Sequence, residues 1–195
     1  MSIKGMVIVT GLVVATWTIT GVAAHARGHT SGSHASSQEA QFVKEAAHGG
    51  SAEVALGKLA VEKGENQQVK DFGQRMIDDH GKANEELQQA ARQKGLEVPQ
   101  TPTKSQQDTY KRLSRLSGRE FDKQYMRTML TDHAEDAAAF ERFTQSGPND
   151  PIKDWASRTL GIINEHQEMA RNAARELGIN TETKGPTDTK RPHEL

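Results

Sequence analysis

No cysteine occurs anywhere in the 195 residues. That excludes a disulfide framework, a lipid-modified cysteine, thiol catalysis and thiolate metal sites together, so the core alone must hold the fold. An excess of one charge is lacking as well: 25 lysines and arginines stand against 26 aspartates and glutamates, and no basic block stands out. No nucleic acid is therefore expected as a partner. No segment alternates apolar and polar residues as a strand does, and the one long apolar run lies at the beginning of the chain.

That run is Met6–Val22 (MVIVTGLVVATWTITGV), preceded by the basic Lys4 and followed by Ala24-His25-Ala26. A short basic start, an apolar stretch and a small-x-small site make a secretory signal, cleaved after Ala26. Retention as a membrane anchor is the alternative, because the run is near the lower limit of about 17 residues for a spanning helix. Lys4 is the only formal charge in residues 1–26, so processing takes the net charge from −1 to −2. The processed chain carries no transmembrane segment and is expected in the periplasm or outside the cell.

Residues 27–36 (RGHTSGSHAS) lack apolar periodicity and read as a flexible leader. Residues 179–195 are polar, with two prolines, and read as a disordered tail. Between them, residues 37–178 carry helical punctuation. Ser36-x-x-Glu39 is a capping box for a first helix that stops at Gly64. Asn66 caps a second, which ends before Gly95. Thr103-x-x-Gln106 opens a short helix, and Ser117-Gly118-Arg119-Glu120 opens a third long one to about Ser146. Asp150-Pro151 starts the fourth, which ends at Gly178. Two helical hairpins joined by a long crossover with a short helix give an all-α, ferritin-like four-helix bundle.

The apolar spacing places three histidines on inner faces. The second helix gives Val69, Phe72, Met76, His80, Ala83 and Leu87; the third gives Tyr125, Met129, His133, Asp136 or Ala137, and Phe140. The fourth gives Ile152, Trp155, Thr159, Ile162, His166, Met169 and Ala173. In the first helix the stripe is Phe42, Ala46, Gly49, Glu53, Leu56 and Ala60, with Glu53 its only charge. His80 and His133 are at mid-helix; Glu53 and His166 are within about three residues of it, ~5 Å along the axis. The middles of bundled helices share one level, so Glu53, His80, His133 and His166 are expected in one layer. The repeats RMIDDH, TMLTDH and GIINEH thus deliver one imidazole per helix to the same height.

Such a layer has two readings. It can hold a single transition-metal ion, for which imidazole suits Zn, Cu or Fe and the carboxylate also admits Mn. Or its members hydrogen-bond one another and fix helix register. The acids Asp79, Asp132 and Glu165 sit about 100° round the helix from each histidine. They can support a histidine of a neighbouring helix or pair with a surface base. Met76, Met129 and Met169 lie one turn from the histidines, as adaptable filler or soft ligands for Cu(I). Glu45-x-x-His48 flanks the stripe, which assigns it to the surface. Gly49-Gly50 lies in the first helix beside the layer, where it costs helix stability and either lets another helix approach, relieves crowding around the layer or makes a local kink with no further role.

The segments FVKEAAHGGSAEVALGKLA, VKDFGQRMIDDHGKANEEL and GREFDKQYMRTMLTDHAEDAAAF, with the closing Glu-His of the fourth helix, resemble the domain of unknown function 4142 family. The resemblance covers about Glu39 to Leu177. It implies an exported bacterial protein of ferritin-like fold, often labelled an outer-membrane protein, with no assigned activity. The wider ferritin-like group implies a di-iron or di-manganese carboxylate centre. This sequence departs from that pattern, because the position three before each histidine is Ile77, Leu130 or Ile163 rather than glutamate.

The sequence therefore points to an exported ferritin-like bundle with Glu53, His80, His133 and His166 as candidate metal ligands. A non-catalytic envelope or stress-related interaction protein with a structural polar core is the alternative. No catalytic constellation is assigned, since no nucleophile is paired with a base. The partners left open are a metal ion, a second copy of the chain and an envelope component.

Overall fold

The computed structural model describes residues 31–181; the signal segment and most of the tail lie outside them. The described residues form five helices and no strand: α1 (Ser31–Lys63), α2 (Gln67–Gln93), α3 (Lys104–Ser114), α4 (Gly118–Ser146) and α5 (Pro151–Glu176). None of these helices is long and apolar enough to cross a membrane. The helices α1 and α2 form one antiparallel hairpin, α4 and α5 the other, and α3 lies in the crossover. The hairpins pack α2 on α5 and α1 on α4, which closes a four-helix bundle.

Several of the expected caps hold. Asn66 accepts from the Gln68 N–H at 2.8 Å, Thr103 and Gln106 complete a capping box, and Asp150 accepts from the Ile152 and Lys153 N–H groups. Gly95 and Gly178 take the left-handed conformation, with φ of 66° and 71°, where glycine avoids the Cβ clash.

Two expected capping boxes are corrected. The first helix begins at Ser31, ahead of Ser36 and inside the expected leader. No proline interrupts residues 31–36. Glu39 is buried and pairs with Lys94 instead of reaching back to a cap. At α4, Ser117 stands at the N-cap with no side-chain cap hydrogen bond. Gly118 takes φ of 57° there. The start of α4 is anchored by Asp122, whose carboxylate accepts from the Glu65 and Asn66 N–H groups at 3.1 and 2.8 Å.

The core divides into two apolar clusters. One contains Leu56, Leu59, Phe72, Met76, Tyr125, Met129 and Ala173. The other contains Phe42, Leu87, Phe140, Trp155 and Ile163. On every long helix the change from one cluster to the other falls at a polar residue: Glu53 on α1, His80 on α2, His133 on α4 and His166 on α5. The order of the clusters along each helix also fixes direction: α1 and α5 run one way, α2 and α4 the other. This is the arrangement a crossover spanning the bundle's length produces.

Candidate metal centre

The four polar residues separating the two clusters are all inside the protein. His133 and His166 are fully buried, Glu53 is 3% exposed and His80 7%. The imidazoles form a triangle, with ring centroids 5.9 Å apart for His80–His133, 5.3 Å for His80–His166 and 5.4 Å for His133–His166. One nitrogen from each ring lies within 4.8 Å of the other two.

The outer hydrogen bonds set the tautomers. His133 Nδ1 lies 3.1 Å from the Met129 carbonyl oxygen. A carbonyl only accepts, so Nδ1 donates and Nε2 keeps its lone pair. His166 Nε2 lies 2.9 Å from Asp79 Oδ2. The carboxylate accepts, which leaves the lone pair on Nδ1. Arg75 holds Asp79 in turn at 2.5 Å and reaches Glu165 at 3.6 Å. His133 Nε2, His166 Nδ1 and His80 Nε2 are buried without any hydrogen-bond partner.

Three orphaned nitrogens in one core layer are costly, since an unsatisfied buried polar group is worth about 1–3 kcal/mol. Burial lowers the pKa of all three rings, with further lowering at His80 from His133 and His166. His133 falls to about 3. The rings are therefore neutral at pH 7, the state in which imidazole donates to a metal. Tetrahedral donors ~2.1 Å from one ion stand ~3.4 Å apart, so each ring would move inward by about 0.8 Å at most. The donor set fits a borderline transition metal better than a hard ion such as Mg or Ca.

Glu53 adjoins this triangle without belonging to its tight cluster. Its Oε1 lies 4.0 Å from His133 Nδ1, the nitrogen engaged with Met129. Its Oε2 is buried and unpartnered, as is the Tyr125 hydroxyl. Burial, with Asp136 and Asp132 adding repulsion, raises the Glu53 carboxyl well above the ordinary range.

The supporting acids part company. Asp79 meets both of its alternatives, orienting a histidine on another helix and pairing with Arg75, while Glu165 pairs with Arg75. Asp132 faces a cavity of about 320 Å³ lined also by Glu53, Glu135, Asp136 and Gly49. The methionines Met76 and Met129 pack in an apolar cluster. His48 is outside the layer and binds the Thr101 carbonyl at 2.6 Å, tying the crossover to α1. On α5 the expected Ile162 is only half-buried, and Ile163 takes the core position. The sequence offered Asp136 as an alternative to Ala137 on the inner face and gave it no part in the site; it lines the cavity beside Glu53. Its signal was the position three after His133, which keeps it near the inner face.

Of the Gly49-Gly50 pair, a Cβ at Gly50 would run into the Asn84 side chain of α2, whereas one at Gly49 would meet nothing within 4 Å. A closer approach went unread. A Cβ on Gly57 would lie 2.6 Å from the Gly73 carbonyl oxygen, and one on Gly73 2.7 Å from Ala60 Cβ. These two glycines bring α1 and α2 nearly backbone to backbone beside the layer.

The chain belongs to the family described as Domain of unknown function (DUF4142), whose model matches residues 24–173. No curated protein and no solved structure matches it.

Proposed function

We propose that this chain is an exported metal-binding bundle that holds one transition-metal ion through His80, His133 and His166. Glu53 adjoins as the carboxylate of the centre. The observation that carries the reading is that three histidines on three helices each bring a ring nitrogen within 4.8 Å of the other two, and each also keeps a buried nitrogen without a hydrogen-bond partner. A purely structural layer would be expected to pair such groups with one another. Here His133 and His166 find their partners outside the triangle, in the Met129 carbonyl and the Asp79 carboxylate, and the Asp79–His166 pair is built like a carboxylate–histidine–metal arrangement. Zn, Cu, Fe and Mn are the candidate ions. Residues 1–26 support delivery to the periplasm or beyond, with cleavage after Ala26.

The complete burial of His133 and His166 favours the second reading, a non-catalytic envelope or stress-related interaction protein with a structural layer. Metal content and chelator-dependent melting separate the two. Protein purified without an affinity tag should carry close to one equivalent of metal by mass spectrometry. A ligand present at about 100 times its Kd adds ~2.7 kcal/mol, so chelator should lower Tm by about 5 °C. His80→Gln and His133→Ala should lose both the metal and the chelator effect. A metal-free protein indifferent to chelator and to added Zn, Cu, Mn or Fe would establish the structural layer instead.

A further inference from the structure

The carboxylates beside the histidine centre line a cavity that the metal-binding reading leaves without a role. About 320 Å³ in volume, it lies among α1, α3 and α4, with Asp132, Glu135 and Asp136 in its wall and Glu53 at its inner side. Glu53 is nearly all buried, yet its Oε2 has no hydrogen-bond partner. A much smaller cavity of about 20 Å³ lies on the other side of Gly49 and is lined by His80, Trp155 and Thr159. That volume suffices for about one water-sized particle. Gly49 and Asp136 line both spaces. A Cβ at Gly49 would meet nothing within 4 Å, so the space beside Gly49 is open and α1 puts no side chain into it at that point.

We propose that the carboxylate-lined cavity captures a divalent cation and passes it, by way of Glu53, Asp136 and the gap at Gly49, to the histidine centre. This rests on the metal-binding reading above. The physical case is electrostatic. The acidic side chains of Asp132, Glu135 and Asp136 line one low-dielectric cleft, and negative charge in such a cleft raises local cation concentration and on-rate. Glu53 offers a bare oxygen at the inner end, and His80 presents an orphaned nitrogen beyond the gap. The cavity's oxygen donors hold a transition metal less tightly than imidazoles do, so transfer runs toward the histidines. The glycine at position 49, in mid-helix, costs about 1 kcal/mol relative to alanine, and an ion path gives that cost a use.

The test is the rate at which chelator-stripped full-length protein takes up Co(II), followed by stopped-flow ligand-field absorption. Asp132→Asn combined with Asp136→Asn should slow loading at least tenfold at low salt while one equivalent still binds. Raising salt should slow the wild type and leave the double variant little changed. Gly49→Leu should also slow loading, by filling the gap, whereas Gly49→Ala should load normally. Unchanged rates in the double variant, with full stoichiometry, would overturn the path and leave the metal centre standing. Loss of the bound equivalent in the double variant would also overturn it, by making these carboxylates ligands. A wild type that binds no Co(II) would sink both proposals.

Discussion

Asp79 shows how much of the candidate centre depends on a residue outside it. Its carboxylate, gripped by Arg75, accepts from His166 Nε2 and so turns the Nδ1 lone pair toward the other imidazoles. Asp79→Asn should weaken metal affinity by 10- to 100-fold, as outer partners of ligating histidines generally do. Glu165→Gln, on the equivalent acid of α5, should change it little, because Glu165 is largely exposed and pairs with Arg75 rather than with a histidine ring. Isothermal titration of both variants checks the contrast. The buried groups also set two opposed pH slopes in the metal-free protein. Unfolded His133 takes its proton near 6.5 and the folded residue, held down by burial and by His166, only near 3. Its contribution to stability is full above pH 6.5 and is lost as pH falls toward 3. Burial and the neighbouring Asp132 and Glu135 push Asp136 the other way, from 3.8 to about 7. Its contribution is full below about pH 4 and is lost as pH rises through about 7. Asp136→Asn should therefore gain on the order of 1 kcal/mol over wild type at pH 8 and nothing at pH 4. Urea melts of the stripped protein at the two pH values would show it, and equal gains at both would contradict the burial argument.

At the scale of elements, the hairpin of α1 and α2 depends on the absence of side chains at Gly57 and Gly73. Gly73→Ala should cost about 1–3 kcal/mol, the Cβ clash with Ala60 outweighing better helix propensity. Gly81→Ala meets nothing within 4 Å and should instead stabilise by about 0.5–1 kcal/mol. Thermal melts of the pair decide whether close approach or propensity governs this hairpin. Sequence reading placed the four long helices and the short one because their breakers act locally: Gly95, Gly178, Asn66 and Asp150-Pro151 need no knowledge of tertiary contacts. It failed where a distant partner takes the capping residue. Glu39 is drawn into an ion group with Lys94 and Asp150 at one end of the bundle, and α4 is held by Asp122 rather than by Ser117. The histidines were legible because 3.6-residue periodicity alone fixes their face. The choice between Ile162 and Ile163 was not, because both lie within the angular width of a core stripe.

Across the whole molecule, the arrangement is a layered one: an apolar cluster, a polar stratum of Glu53, His80, His133 and His166, and a second apolar cluster. Equal height at mid-helix was readable from residue numbers, since it follows from bundle geometry without side-chain detail. The acidic cavity was not, because it arises where α3 of the crossover lies over α1 and α4, and the sequence does not say where a crossover lies. The layering also bears on cooperativity. Two apolar clusters joined through unpaired polar groups should unfold less cooperatively than the same bundle with the layer satisfied by an ion. Added metal should accordingly sharpen the melting transition as well as raise it.

The most direct test of the central claim is an anomalous-difference map from crystals of the processed protein loaded with one equivalent of zinc, collected at the zinc edge. The account predicts one strong peak inside the triangle of His80 Nε2, His133 Nε2 and His166 Nδ1. A peak elsewhere, such as at His48, or no peak in the bundle core would contradict it.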